Sequence, residues 1–276
     1  MDILLDAVID TFKLLPFLFV TYVIIEWIEH SASNSITESI QKSSKFGPLI
    51  GSAAGLIPQC GFSSIASTLY VTRVLTLGTL ISIYLATSDE MLPILISNNA
   101  PIDLIVKILA IKFIVGVIVG YCIDLVIRKR KQDHIDIDAF CEGEDCHCEE
   151  EGIFVSALKH TIKIGLYIFG VTILLNLLLE YVHLETLLNV SPTLTTFVSA
   201  IVGLIPNCAA SIVLTELYLG GALDFGALMA GLLTNAGVGL LVLFRINHNQ
   251  RENFKIIGIL VVVGVAVGLS LQLLGI

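Results

Sequence analysis

Apolar runs long enough to cross a bilayer alternate with short polar interruptions along this chain, and that pattern predicts helices. In the first half, the runs Leu14–Ile28, Leu75–Ser97 and Ile102–Ile127 supply or approach the roughly 20 apolar residues that a crossing helix needs. A fourth stretch, Phe46–Val71, reads in two ways. It is either one kinked span or two short helices that enter and leave on the same side, meeting at a Pro-Gln-Cys-Gly break. The first run holds Pro16, Glu26 and Trp27 and lacks a small-residue cleavage site, so it reads as a retained helix and not as a signal peptide.

The same pattern recurs. "GLIPQCGFSSIASTLYVTRVLTLGTL" from Gly55 aligns without a gap to "GLIPNCAASIVLTELYLGGALDFGAL" from Gly203, an offset of 148 residues. Identities include Pro58/Pro206, Cys60/Cys208, Ser63/Ser211, Tyr70/Tyr218 and Gly78/Gly226. Upstream, "TFKLLPFLF" at Thr11 echoes "TIKIGLYIF" at Thr161, so the duplication covers almost all of both halves. The predicted organisation is a membrane repeat over residues 1–128, a hydrophilic linker over 129–152 and a second membrane repeat over 153–276.

Composition agrees with a polytopic all-α membrane protein. Of 276 residues, 55% are hydrophobic and 14% charged, and the mean hydropathy is +0.91; that is too little polar surface to coat a soluble globule. The net charge of -9 implies no basic or nucleic-acid partner, because nine acidic residues fall between Asp133 and Glu151 in the linker. Charge placement also bears on topology. "RKRK" at Arg128–Lys131 marks the linker as cytoplasmic, and "RINHNQREN" at Arg245–Asn253 is basic where its counterpart "SNNAP" at Ser97–Pro101 is not. Corresponding loops then lie on opposite sides, which predicts two inverted-topology repeats of about five helices each, with the Ile-Pro-Xaa-Cys segments as broken or re-entrant helical hairpins.

A proline within a helix strips a carbonyl of its partner, and unsatisfied backbone at membrane depth is tolerated only against protein or a wet cavity. Inverted-repeat transporters use such breaks as substrate sites near the midplane. Gln59, Cys60, Ser63 and Ser64 are therefore expected to face Asn207, Cys208 and Ser211 across the pseudo-two-fold axis. The competing reading is a plain kink packed by small residues. "ATSDEMLP" at Ala86–Pro93 adds adjacent Asp89 and Glu90, which align with Gly237 and Val238 of "TNAGVGLL", next to Asn235. Ionisable residues inside a membrane mark ion or proton pathways; the alternative is a pair at the membrane surface. Lys13, Glu26 and Glu216 read as interfacial or route-lining, Arg73 as an anchor for the cytoplasmic end of the first hairpin, and Cys122 as a small buried hydrophobe.

The linker carries Cys141, Cys146, His147 and Cys148 among its acids. Thiols and imidazoles in a reducing compartment are metal ligands before they are disulfides, so a weak metal-collecting or sensing loop is expected beside the plainer reading of a solvated tether. An intramembrane cysteine enzyme is disfavoured, because the six histidines all fall at helix ends or in loops and leave Cys60 without a base. No cofactor is required.

The paired "GLIPQCGFS" and "GLIPNCAAS", the "SDEMLPI" segment and the His/Cys/acid-rich central loop resemble the bacterial ten-helix heavy-metal exporter family, whose members are labelled arsenic efflux proteins or manganese transporters. The resemblance implies a multi-pass efflux transporter of the bacterial plasma membrane. Its motif positions here are Pro58, Gln59, Cys60, Ser63, Asp89, Glu90, Pro206, Asn207, Cys208 and Ser211. Carboxylates, amides and carbonyls suit manganese, whereas thiolates suit zinc, cadmium or trivalent arsenic. The expected metal ligands are Cys60, Asp89, Glu90, Asn207 and Cys208, and the expected function is export of a divalent heavy-metal cation, coupled to protons. An arsenite or organoarsenical efflux permease and a membrane-anchored metal sensor are the alternatives. The expected partners are the metal or metalloid, the bilayer, protons and a second copy of the chain in a homodimer.

Overall fold

In a computed structural model of the chain, the residues described are 46–58, 60–88, 91–127, 153–181 and 192–275, with isolated positions between 8 and 23. Among them all regular structure is helical: α1 (Gly47–Gly55), α2 (Cys60–Val71), α3 (Leu77–Ala86), α4 (Met91–Ser97), α5 (Ile102–Ile127), α6 (Ile153–Tyr181), α7 (Pro192–Gly203), α8 (Cys208–Leu219), α9 (Phe225–Thr234), α10 (Gly239–Ile246) and α11 (Gln250–Leu273). The five helices α1–α5 recur as α7–α11 at the offset read from the sequence.

Local chemistry sets the boundaries. Thr76 caps α3 by accepting from the Thr79 amide, and Asp224 caps α9 by accepting from the Ala227 amide at 2.7 Å. The α8 helix runs out at Gly220 and turns through Gly221 at φ 76°. Its counterpart after α2 is Arg73, held at φ 60° in the left-handed region where glycine is the usual occupant. Both Ile-Pro-Xaa-Cys segments interrupt helices as expected: α1 and α2 have 9 and 12 residues, each far short of a bilayer's hydrocarbon thickness at about 1.5 Å per residue.

A further interruption departs from the pattern reading. The run Leu75–Ser97 forms two helices, α3 and α4, and its repeat forms α9 and α10 around residues 235–238. These two discontinuous elements are central: an 18-residue apolar stretch within Leu77–Ser97 is 75% buried and one within Phe225–Ile246 is 94% buried, against 33% for that within Gln250–Leu273. All three are long and apolar enough to cross a membrane. Large apolar residues of α5 and α11 such as Ile114, Ile118, Leu125 and Val262 are exposed, the surface a lipid-facing helix presents. Cys122 lies on that surface and is exposed, contrary to the expectation of a buried site, because α5 is a peripheral helix with one face turned outward.

Packing repeats as faithfully as the elements do. Within each half, the central helix packs on two neighbours, α3 on α1 and α5, and α9 on α7 and α11. Glycines make these approaches close. A Cβ on Gly78 would lie 2.2 Å from the Gly120 carbonyl oxygen, and one on Gly226 would lie 2.5 Å from that of Gly268, its repeat equivalent. Gly55 and Gly203 are pressed in the same way against the carbonyls of Ile83 and Gly231. Between halves the pairing crosses over: α2 packs on α10, α8 packs on α4, and α3 meets α9 at the centre.

Side chains tie helix ends together. Asp124, near the end of α5, accepts from Thr76 Oγ1 at 2.8 Å and from the Gly78 amide at 2.9 Å. Three residues before Thr76, Arg73 pairs at 3.7 Å with Glu252 in the first turn of α11. At the other end of the molecule, Lys107 near the start of α5 sits 4.6 Å over the Phe225 ring, while Gln272 near the end of α11 donates to Asp224 at 2.8 Å.

The glycine contacts generate a stability test. Gly78→Val and Gly226→Val should each destabilise the protein by about 1–3 kcal/mol through forced helix separation. Gly258→Val, where no atom lies within 4 Å of the added carbon, should be close to neutral. Thermal unfolding of detergent-purified variants measures the difference.

Candidate functional site

The interior between the halves is rich in small polar side chains. Ser63, Ser64, Ser67, Thr68, Thr87, Ser88, Asn207, Ser211, Thr215 and Asn235 are all buried. Most hydroxyls on these helices return their proton to a carbonyl one turn back, as Thr68 does to Ser64 at 3.1 Å, Ser211 to Cys208 at 2.8 Å and Thr215 to Ser211 at 2.7 Å. This lets polar groups sit in an apolar helix without an unmet donor.

The break between α9 and α10 is built by its own sequence. Asn235 leaves the helix with ψ near 100°, and its side-chain oxygen accepts from the Gly237 amide at 2.9 Å. Gly237 takes φ 56°. Gly239 then opens α10 directly against the first motif helix, where a Cβ would lie 2.7 Å from the Ser63 carbonyl oxygen. Ser67, one turn beyond Ser63, lies 2.7 Å from each of the Gly239 carbonyl, the Ser63 carbonyl and the Tyr84 hydroxyl. Its single proton serves one carbonyl at a time, while the fully buried Tyr84 supplies the second proton of the group.

The repeat-related arrangement involves α8 and α4. Asn207, Cys208 and Ser211 are 3%, 3% and 1% exposed, and α8 packs on the helix that follows the acidic pair. Asp89 and Glu90 lie outside the described residues, as do Gln59 and the side chain of Cys60. The chain on either side of the acids is buried, with Ser88 at 3% and Met91 at 1%. Thr87 and Ser88 donate to the Ile83 and Ala86 carbonyls at the end of α3 at 2.8 and 3.1 Å. Of the ten residues expected to form one site, the structure therefore sorts those it describes by helix pairing: Ser63 and Ser64 go with the break at Asn235, and Asn207, Cys208 and Ser211 go with the helix behind the acids. Cys141, Cys146, His147 and Cys148 of the linker also lie outside the described residues. Among the described residues no three His, Cys, Asp or Glu side chains gather as a metal site. Glu216 is exposed, off the interface.

Three residues were not singled out from the sequence. Ser67 and Tyr84 carry the contact just described, and Lys112 of α5 is fully buried with its ammonium donating to the Leu232 carbonyl of α9 at 2.6 Å. A lysine inside the apolar run Ile102–Ile127 was the available signal for the last; the other two are ordinary residues whose partners come from a distant element.

Where α2 ends, a polar cluster joins it to the α10–α11 turn. Glu252 accepts from the Tyr70 hydroxyl and, at 3.4 Å, from the Asn247 amide, while the Arg73 guanidinium lies 5.9 Å from the centre of the Tyr70 ring. Asn247 and Asn253 bind each other in the turn through bonds of 2.8 and 3.0 Å. A cavity of about 140 Å³ opens here, lined in part by Tyr70, Arg73, Asn247, His248 and Glu252. The repeat equivalents of Arg73 and Glu252 are Gly221 and Leu104, so this cluster has no twin. Arg73 thus ties the end of the first motif helix to the start of α11.

A family model described as "Putative, 10TM heavy-metal exporter" matches residues 1–174 and again 153–275. No curated protein and no solved structure matches the chain significantly.

The Ser67 contact can be tested as a cycle. Ser67→Ala should cost about 1–3 kcal/mol, because it strands the buried Tyr84 hydroxyl. Adding Tyr84→Phe should recover part of that loss rather than add to it, as read from thermal unfolding of the two single variants and the double.

Proposed function

The chain belongs to the 10TM heavy-metal exporter family, and from that premise we propose that it exports a divalent heavy-metal cation of the manganese, zinc or cadmium type by alternating access between two inverted halves. The observation that carries the reading is the crossed pairing of interrupted helices, α2 on α10 and α8 on α4. Each helix that follows an Ile-Pro-Xaa-Cys motif packs on the helix that follows the break of the opposite half, so a relative movement of the halves changes both contacts together.

Inversion is supported by the tied helix ends. The end of α5 and the start of α11 share one end of the molecule through Asp124, Thr76, Arg73 and Glu252. The start of α5 and the end of α11 share the other through Lys107, Phe225, Asp224 and Gln272. These repeat-related helices then run in opposite directions, which is what an axis in the membrane plane produces. The halves differ in charge: Asp89 and Glu90 fall between α3 and α4 in the sequence, and Gly237 and Val238 take their places between α9 and α10. In this reading the transported ion is held by Asp89 or Glu90 with Asn207, Cys208 and Ser211 of α8. Gln59, Cys60, Ser63, Ser64 and Asn235 form a neutral counterpart that lines the route. Carboxylate and amide oxygens with one sulfur suit a borderline divalent cation. Proton coupling falls to the carboxylate not engaged by the metal. The protein sits in the bacterial plasma membrane with its basic linker end cytoplasmic, and the cluster at Glu252 closes that face.

Flux of manganese, zinc, cadmium and arsenite into proteoliposomes tests this directly. Asp89→Asn or Glu90→Gln should reduce divalent-ion flux at least about tenfold. Asp89→Asn should couple non-additively with Asn207→Ala but add with Gln59→Ala. Unchanged flux in the carboxylate variants, or transport of arsenite alone, would reject the divalent-cation reading.

The closing cluster gives a separate expectation. Glu252→Gln should speed amide hydrogen exchange across residues 70–73 and 246–252 by about threefold or more, with Lys107 and Phe225 at the far end unaffected. Exchange mass spectrometry in detergent measures both regions in one experiment.

A further inference from the structure

Asn235 carries a hydrogen-bond donor that its surroundings do not use. The residue is 3% exposed, and its side-chain oxygen accepts from the Gly237 amide at 2.9 Å. That bond fixes which end of the side chain is oxygen and leaves Nδ2, with its two protons, as the other end. Among the described residues Nδ2 has no acceptor. A buried donor left in that state is costly, so the position calls for a ligand that accepts.

Backbone donors collect at the same place. The α10 helix opens at Gly239, and its N-cap, Val238, offers no side-chain acceptor. Its first bond runs from the Val242 amide to the Val238 carbonyl at 3.2 Å, so the amides of Gly239, Leu240 and Leu241 precede any helical acceptor. By contrast, the first turns of α3 and α9 are served by Thr76 and Asp224.

A second helix brings its positive end to this level. Gly239 lies against Ser63, and its carbonyl is 2.7 Å from Ser67 Oγ, while Tyr70 and Arg73 line one cavity with Ile246 and Asn247. Contacts that advance in step along both helices mean that α2 and α10 run parallel. The α2 helix starts at Cys60, one turn before Ser63, so the two dipoles reinforce each other at the break, and paired helix N-termini favour negative charge. The repeat provides that charge in its own sequence: Gly237 and Val238 correspond to Asp89 and Glu90. The second half has the helix ends without the acids.

We propose that the junction of α9 and α10 binds one small inorganic anion of the chloride type, held by Asn235 Nδ2 and the amides that open α10. The anion supplies to the second half the negative charge that Asp89 and Glu90 bring to the first, so a divalent cation moving between the halves meets the same sign on both sides. That consequence rests on the transport reading above; binding of the anion does not.

The test exchanges anions at fixed ionic strength. In detergent, the melting temperature of the wild-type protein should rise by a few degrees, and saturate, as sodium gluconate is replaced by sodium chloride, and bromide should act as chloride does. Asn235→Asp keeps an oxygen for the Gly237 amide and puts a carboxylate oxygen where Nδ2 stood, so it should abolish the response. Equilibrium dialysis of the wild type with radioactive chloride should show saturable binding that bromide displaces. A melting temperature indifferent to the exchange, or an equal response in Asn235→Asp, would overturn the proposal, because water alone would then satisfy the donor. If Asn235→Asp does not fold, a lack of saturable chloride binding to the wild type is enough to reject it. Saturable binding to a wild type that moves no metal would sink the transport reading and leave the anion site standing.

Discussion

A helix interrupted within hydrocarbon leaves carbonyls and amides that no lipid can satisfy, and the architecture follows from where this chain tolerates such interruptions. Those that follow α3 and α9 are turned inward, with Thr87, Ser88 and Asn235 buried. The ends of α3 and α9 are met by side chains: Thr87 and Ser88 in one half, Thr234 and Lys112 in the other. Asn235 supplies the turn that lets α10 begin. Because a break must be surrounded by protein, the discontinuous elements become the centre and the uninterrupted α5 and α11 become the outside. Burial of 94% for the apolar stretch of one central span against 33% for that of α11 expresses that ordering.

Close packing without large side chains then holds the layers together. The glycine positions of α3 and α5 recur in α9 and α11 with their contact partners, because backbone-to-backbone approach in lipid draws on dispersion and not on a hydrophobic effect. Gly239 performs the same service between halves, where it admits Ser63 of the first motif helix. Small residues at the motif therefore serve two ends: they allow contact, and they keep hydroxyls and amides within reach of the interior.

Much of this was legible in the sequence. The duplication announced itself through "GLIPQC" and "GLIPNC", and the proline breaks were located by the chemistry of an absent amide hydrogen. The interruption that begins at Thr87 was not, because an apolar run ending in "ATSDEMLP" looks the same whether the polar residues stand at the membrane surface or in its middle. What separates the cases is burial of Ser88 and Met91, a property of neighbours that are distant in the chain. Crossed pairing was hidden for the same reason: a pattern of hydrophobic positions says which face of a helix is covered, but not by which half. The outward position of Cys122 was missed because cysteine is apolar enough to face either lipid or core. Lys112 was in plain view as a charge inside an apolar run, and only its partner on α9 made it meaningful.

The two capping contacts at the starts of α3 and α9 have a bearing on the history of the duplication. In the first half the carboxylate stands on the long helix, Asp124, and meets a threonine; in the second it stands at the cap itself, Asp224, and meets Gln272. Each half has kept one acid per contact while moving it to the opposite partner. Grafting α5 in place of α11 would set two carboxylates against each other, and the reciprocal graft would leave none. What began as two interchangeable copies has become a matched pair of unlike parts, joined in an order that can no longer be reversed one helix at a time.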